Sequence, residues 1–501
     1  MWVPRRLVGA FHGPRAVDVG VVLIGVAVVV ALVATAWGYG YHRDELYFLA
    51  AGQHLAWAYP DQGPLVPVLA RAMSAIAPGS LIALRLPSAP AAGAIVVFTG
   101  LLAGELRGGR RAQRLAAAVA AVAVIVLFTG HLLSTSTFDL LVWSATSWLV
   151  VRAVRTGADR LWLLVGAVLG VGLLNNPLPA FLAAGMLAGL MISGPRRLLR
   201  NRHVWLGAAI AVALWSPWLL WQGAHGWPQL AVAGSIAAGG STSSTPWWQV
   251  VPFQVLLAGP VLAPIWIAGL VRLFRDPALR PVRFTGWAWV LLAVTFTATG
   301  GKPYYLAGLL PLLIGSGAAP LDGWLTGGRR RVRAAVLAGA VAVSAAAGAV
   351  IALPVLPARD AAPVVAVNPD VGETIGWPDL VAAVARARQQ LPAGASVVIF
   401  TANYGEAGAV DRYGPAVGLP PAYSGHNAYG LWGPTPDGGA PVIAVGLPPS
   451  VLAAYFRDCA PAERIDNSAG IDNDERGRTI SVCAGPRGSW AAIWPALRHL
   501  S

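Results

Sequence analysis

Apolar residues run along this chain in long blocks, and the short connectors between the blocks hold most of its charge. Blocks of spanning length lie at 17–37, 81–104, 115–133, 138–154, 161–175, 178–193, 204–222, 249–271, 284–300, 303–320 and 334–354. A bilayer crossing takes roughly 20 consecutive apolar residues, so the pattern predicts about eleven transmembrane helices. The fifth and sixth blocks meet at Asn175-Asn176-Pro177, which reads either as a tight turn or as a break in one helix. Two connectors are long. In the first, 38–80, apolar residues recur at helical spacing between Glu45 and Trp57 (Leu46, Leu49, Ala50, Leu55). That spacing predicts an amphipathic helix lying on the membrane surface. The second, 223–248, carries a Gly/Ser/Thr run that predicts mobility, then Trp247 and Trp248, which suit an interfacial anchor.

After Leu353 the pattern changes to short alternating segments rich in turn residues. It predicts a helix over 377–391, a strand over 396–401, a helix over 405–417, a strand over 441–446, a helix over 449–457 and a strand over 478–483. Such alternation predicts a small α/β domain over 355–501, following a membrane domain over 1–354.

The arginines orient this arrangement. Arg5, Arg6 and Arg15 precede the first block. Further arginines cluster after every second block: Arg107, Arg110, Arg111 and Arg114; Arg152, Arg155 and Arg160; Arg196, Arg197, Arg200 and Arg202; Arg272, Arg275, Arg280 and Arg283; Arg329, Arg330, Arg331 and Arg333. The positive-inside rule puts these clusters and the N-terminus in the cytoplasm, and the long connectors and the C-terminal domain outside. The first block is too long for a typical signal-peptide core, which favours an uncleaved span.

Composition agrees with a multi-pass membrane protein. The chain has 501 residues, 56% hydrophobic and 12% charged, with mean hydropathy +0.61. The net charge of +14 sits largely in the connectors, where it orients helices and meets anionic lipid. No basic stripe interleaved with aromatics points to nucleic acid, and no GxxxxGK[ST] loop points to a nucleotide-driven machine. The two cysteines, Cys459 and Cys483, fall in the outer domain, where a disulfide forms readily; two buried thiols are the alternative.

The candidate chemistry gathers on the outer side. Carboxylates at membrane depth are costly and mark function by default. Asp44 and Glu45 start the first connector, Asp61 lies in YPDQGP, and Asp139 opens the fourth span, where it caps the helix or serves a site. Asp44, beside His42 and Arg43, has the makings of a general base. Adjacent carboxylates on a helix face different ways, so at most one of Asp44 and Glu45 points into a site. The single lysine, Lys302, in TGGKPYY, is either an interfacial anchor or a phosphate ligand. Arg43, Tyr304 and Tyr305 are further candidates for the same phosphate. In the C-terminal domain, Asn403, Tyr404, Glu406, Tyr423, His426 and Asn427 mix aromatic faces with polar groups, as carbohydrate sites do, and are candidates for the acceptor.

Taken together, HRDELYF after the first span, then DQGPL, Asp139 heading the fourth span, and Lys302-Pro303 before a late span resemble the GT-C membrane glycosyltransferases, of the protein O-mannosyltransferase and aminoarabinose-transferase kind in actinobacterial form. The resemblance covers about residues 17–320. It implies a polyprenyl-phosphate-linked sugar as donor, membrane lipid as surroundings, the first-loop Asp44 as base with Glu45 and Asp139 beside it, and a glycan, lipid or protein acceptor on the outer face. His42, Asp61 and Gln62 support that loop. No cofactor is required, although a divalent cation at Asp44, Glu45 or Asp61 is compatible. The sequence departs from the pattern at Gly63, where a second Pro is usual, and at Gln62 and Asn176, where relatives carry Lys. Those departures place more of the phosphate on Lys302 and Arg43. The expected activity is transfer of mannose or a pentose-like sugar with inversion. The rival is a secondary transporter or flippase, which would place its charges near mid-membrane and show two related halves.

Overall fold

The computed structural model describes residues 17–240, 245–434 and 438–500. Arg5, Arg6, Arg15 and the centre of the Ser/Thr run in the second connector lie outside the described residues. Among the described residues, five helices are long and apolar enough to cross a membrane: Leu81–Glu105, Thr135–Thr156, Arg202–Ala224, Pro303–Thr326 and Arg330–Ala352. The 115–133 block forms a bent pair, Arg110–Ala121 and Val124–His131, turned by 58°. The 249–271 block is broken at Gly259-Pro260 into Phe253–Ala258 and Ala263–Arg275. Four other blocks form the shorter apolar helices Val19–Thr35, Leu161–Leu173, Leu178–Ser193 and Phe284–Ala298. Every predicted block is thus helical, although several helices are shorter or more bent than a straight span.

Lipid tails are as apolar as leucine, so these helices associate by close fit. At the crossing of Leu161–Leu173 with Arg202–Ala224, a Cβ on Gly166 would stand 2.0 Å from the Gly207 carbonyl oxygen. Only glycine lets those backbones touch.

The two ends of the bundle differ in charge. Residues Arg85 to Glu105 rise about 30 Å at 1.5 Å per residue. At the Glu105 end, Glu105 pairs with Arg152 (2.7 Å) and Arg155, Arg114 with Asp18 (2.7 Å), and Arg111 with Asp322 (3.3 Å). At the other end stands a buried pair, Glu45 and Arg85. Glu45 accepts from Arg85 Nε (2.9 Å) and Nη2 (2.9 Å), from His42 N (2.8 Å) and from Leu133 N (2.9 Å). Arg85 also donates to the carbonyls of Ala36 (3.1 Å), Gly38 (3.3 Å) and Gly40 (2.7 Å). The pair ties the end of the first helix, the first loop and two further helices to one point.

The first loop departs from expectation. Its helix, Arg43–Gln53, starts two residues earlier than the spacing predicts, because the His42 ring and the Glu45 carboxylate form a capping box. One face of it is covered by protein. Leu46, Tyr47, Phe48 and Ala51 are buried in one core with Leu380, Val384, Ala407, Val410 and Ile443 of the C-terminal region. Each large side chain fully buried there contributes roughly 1.5–3 kcal/mol. A second loop helix, Leu65–Ile76, has no counterpart in the predicted elements.

In the C-terminal region the strands are β1 (Val398–Thr401), β2 (Ala422–Ser424), β3 (Val442–Val445), β4 (Phe456–Arg457), β5 (Ala460–Arg464), β6 (Thr479–Cys483) and β7 (Gly485–Pro486). Among the described residues five form one sheet in the order β2-β1-β3-β6-β5, with β4 and β7 paired separately. The β2-β1-β3 part is parallel, and β6 joins it antiparallel. Cys459 and Cys483 form a disulfide beside the β5-β6 pair. The predicted helices and strands of this region are all present, although the helix expected over 449–457 stops at Tyr455 and gives way to β4; β2, β4, β5, β7 and the helices Tyr429–Trp432 and Trp490–Leu497 are among the additional elements.

Arg85→Met, which strands the Glu45 carboxylate in the interior, is expected to destabilise the protein by about 3–5 kcal/mol. The double change Glu45→Gln with Arg85→Met is expected to cost less. Thermal unfolding of the purified chain in detergent compares the two.

Candidate active site

The capping box that starts the Arg43–Gln53 helix aims three consecutive side chains in three directions. Glu45 turns inward to Arg85, with both oxygens engaged, and so does not open to a site. Arg43 turns to the C-terminal region, where its Nη1 lies 2.9 Å from Asp474 and 3.7 Å from Glu373. Two carboxylates thus already balance the charge expected to meet phosphate. Asp44 keeps a side chain 43% exposed. Its own N–H donates to His42 Nδ1 at 3.2 Å, which fixes the imidazole as part of the helix cap.

Asp44 and Asp61 are each held by a tyrosine hydroxyl. Tyr404 donates to Asp44 Oδ1 at 2.8 Å, and Tyr47 donates to Asp61 Oδ1 at 2.8 Å. The two rings stack with centroids 4.6 Å apart. Asn427 Nδ2 donates to the other Asp61 oxygen at 3.0 Å. Burial pushes the Asp61 carboxyl up to about 6, against the pull of these donors.

The DQGP turn carrying Asp61 docks on the Asn175-Asn176-Pro177 turn, which joins two separate helices. Gly63 N donates to the Asn175 carbonyl at 2.8 Å, and Leu65 N to that of Leu174 at 3.1 Å. A Cβ at Gly63 would stand 2.1 Å from the Leu174 carbonyl oxygen. This explains the departure at Gly63: a proline there would remove the donor, and any side chain would collide. Gln62 is buried, and its amide meets no protein hydrogen-bond partner among the described residues.

Asp139 does not cap its helix. Ser134 is the N-cap, and Asp139 sits one turn in. Its carboxylate accepts from Asn175 Nδ2 (2.9 Å) and from the Asn176 amide. Asn175 therefore links the DQGP turn, through its backbone, to Asp139, through its side chain.

Lys302 precedes the 3-10 turn Pro303–Leu309 and is within electrostatic reach of Asp44, Asp61, Arg43 and Asp370. Burial pushes its ammonium below the ordinary lysine value, while the surrounding carboxylates oppose that shift. Tyr304 and Tyr305 pack edge to face at 5.1 Å, with Tyr304 in reach of Asp44, Asp139 and Asp370. Beside this turn an apolar cleft of about 880 Å³ is lined by Ala237, Trp247, Val251, Val294, Thr297 and Gly300 among others.

Of the six C-terminal candidates, Tyr404 and Asn427 reach the carboxylates. Asn403 and Glu406 instead form a capping box for the Tyr404–Tyr413 helix. Tyr423 lies in β2, and His426 packs between Tyr404 and His499. The sequence reading misses Arg85, Asn175, Asp370, Glu373 and Asp474. Arg85 was findable: an arginine inside an apolar block of spanning length is itself a signal. Among the described residues no group of three or more His, Cys, Asp or Glu side chains is placed to hold a metal ion.

With this geometry in hand, the known proteins can be compared. Residues 61–221 match the family model described as dolichyl-phosphate-mannose-protein mannosyltransferase. The crystal structure of ArnT from Cupriavidus metallidurans bound to undecaprenyl phosphate aligns with a TM-score of 0.62 at 15% identity, covering 93% of this chain and 98% of that one. The chain has the GT-C fold. The apo form of the same ArnT aligns with this fold at a TM-score of 0.58, with the same identity and coverage. The oligosaccharyltransferase AglB from Archaeoglobus fulgidus, in complex with an inhibitory peptide and a dolichol-phosphate, aligns at 12% identity and a TM-score of 0.48, covering 79% of this chain and 63% of that one. No curated protein sequence matches the chain significantly. Within the GT-C fold the DQGP turn, the Asn175 turn and Asp139 all fall inside the segment that matches the family model.

Gly63→Ala is expected to force the DQGP turn off Leu174 and to cost about 1–3 kcal/mol through overpacking. Thermal unfolding measures the loss, and Gly109→Ala, where nothing lies within 4 Å, is the control.

Proposed function

We propose that this chain is an integral-membrane glycosyltransferase that moves a sugar, mannose or pentose-like, from polyprenyl phosphate to an acceptor on the extracytoplasmic side. One observation carries the reading: Lys302 comes within electrostatic reach of Asp44 and Asp61, more than 200 residues earlier in the chain, at one end of the bundle beside an apolar cleft. A carboxylate, a cation and an apolar trough are what a lipid-phosphate sugar needs. ArnT, whose fold this chain shares, is known in complex with undecaprenyl phosphate, which supports a donor of that class.

In this reading the isoprenoid tail lies in the cleft that includes Gly300, and Lys302, two residues on, meets the phosphate. The acceptor hydroxyl oxygen bonds to the anomeric carbon as the bond from that carbon to the phosphate oxygen breaks. The hydroxyl proton passes to Asp44, and polyprenyl phosphate departs with its new charge next to the Lys302 ammonium. One base and one leaving-group clamp give a single displacement with inversion. Tyr304 and Tyr305 flank the phosphate. Asp139 acts through Asn175 and Asn176, keeping the DQGP turn in place. Arg43 and Glu45 anchor the loop and do not take part in the chemistry. The arginine clusters at the opposite end of the bundle support a site outside the cytoplasm. The candidate groups gather at that end and not at mid-depth, which favours transfer over transport.

Asp44→Asn is expected to lower the release of polyprenyl phosphate from polyprenyl-phosphate mannose, with envelope extract as acceptor, by about 100-fold or more. Near-normal release would remove Asp44 as the base. A pH dependence follows from Lys302. Its depressed proton affinity means the ammonium is present at low pH and is lost, as pH rises, earlier than an ordinary lysine would lose it. Binding of polyprenyl phosphate should therefore weaken on the alkaline side. Lys302→Arg, protonated throughout, should flatten that decline, and an unchanged titration in the Arg variant would exclude Lys302 as the phosphate ligand.

A further inference from the structure

Both carboxylates of the proposed site are gripped by side chains from the C-terminal region. We propose that Tyr404 and Asn427 are positioning residues for sugar transfer: each fixes one carboxylate, so that this region is a working part of the active site and more than a platform for the acceptor. The inference rests on the reading of Asp44 as the base.

Tyr404 is placed with little freedom. It is the first residue of its helix, directly after β1, at the edge where α/β sheets present ligands. Asn403 caps that helix and is tied to Glu475 by a 2.9 Å hydrogen bond. The Tyr404 ring is enclosed by Tyr47 at 4.6 Å, His426 at 4.7 Å and the Arg43 guanidinium at 5.1 Å. Its hydroxyl occupies one oxygen of Asp44 and leaves the other to meet an acceptor. Burial holds this phenol well above its ordinary value, so it stays a donor throughout the working range.

Asn427 is equally fixed. Its backbone is left-handed, with φ +48°, and its N–H donates to the His499 carbonyl at 3.0 Å. Asparagine tolerates that conformation better than most residues. Its amide and the Tyr47 hydroxyl together occupy both oxygens of Asp61, one from each part of the chain. The other titratable groups around Asp61 are Asp44, Tyr59, Lys302 and Tyr404.

The full-length chain in nanodiscs, supplied with polyprenyl-phosphate mannose and envelope extract, tests this by following the release of polyprenyl phosphate. Tyr404→Phe keeps the ring and its stacking and removes only the hydroxyl. We expect kcat to fall about tenfold or more, as for a misaimed reacting group, with donor KM unchanged. A kcat within twofold of the starting protein would overturn the Tyr404 assignment, as would a change confined to KM. Asn427→Ala gives an independent measurement. Asp61 then loses a donor to its charged form and keeps its proton to higher pH, so the pH below which the site carries a neutral Asp61, and with it the acid limb of the rate profile, should move to higher pH. An unmoved limb would overturn the Asn427 assignment. Asp44→Asn separates this inference from its parent. If that variant is inactive while Tyr404→Phe and Asn427→Ala behave as the starting protein, only the positioning roles fail. If Asp44→Asn turns over normally, the base reading fails with them.

Discussion

The buried pair of Glu45 and Arg85 is the constraint on which the rest of the site end depends. Two ions with relative exposures of 0% and 1% are tolerable only because both oxygens of the carboxylate and all three nitrogens of the guanidinium are engaged. The carboxylate takes two bonds from the guanidinium and two from backbone amides, and the guanidinium takes three carbonyls. Removing either ion would leave the other uncompensated, so the entry of the chain into the first loop is specified in position and direction. The exposure of Asp44 follows: its neighbour on one side is pulled inward and its neighbour on the other is pulled toward Asp474.

A second joint lies above this one. The Arg43–Gln53 helix shares its apolar core with the sheet and helices of the C-terminal region, and Arg43 adds a charged contact to Glu373 and Asp474. The first loop is therefore sandwiched between bundle and sheet. That packing gives the amphipathic spacing of this segment a protein partner. Its apolar face has a protein partner more than 300 residues away, and local periodicity carries no information about which apolar phase covers it.

The same distinction marks what was legible in the sequence. Block length and hydropathy placed the helices of the bundle, because the bilayer fixes how long an apolar run must be. Alternation and turn residues placed β1, β3 and β6, because strands in the middle of the sheet are short and strongly apolar. The carboxylates and the lone lysine stood out because charge is rare in such a chain. Pairing was not legible. Nothing in the local pattern says that Glu45 serves Arg85 and Asp44 does not, that Asn175 faces Asp139, or that Gly63 answers the Leu174 carbonyl. The two asparagines were visible as a turn, but their amides find Asp139 only once the helices are packed. Of the strands that escaped notice, β4 and β7 are two-residue pieces, and β2 and β5 are a three-residue edge and a polar edge, where burial leaves little imprint on composition.

The hydrogen bond between Asp44 and Tyr404 joins residues 360 positions apart. A ribosome adding roughly 5–20 residues per second needs about 20–70 s to travel that distance. In the proposed roles the nascent chain thus displays its acid long before the phenol that steadies it has been translated. On the proposed function, an unfinished polypeptide, or one truncated after the helical bundle, holds the carboxylate unsteadied, and costly lipid carriers are protected from futile discharge until synthesis is nearly complete.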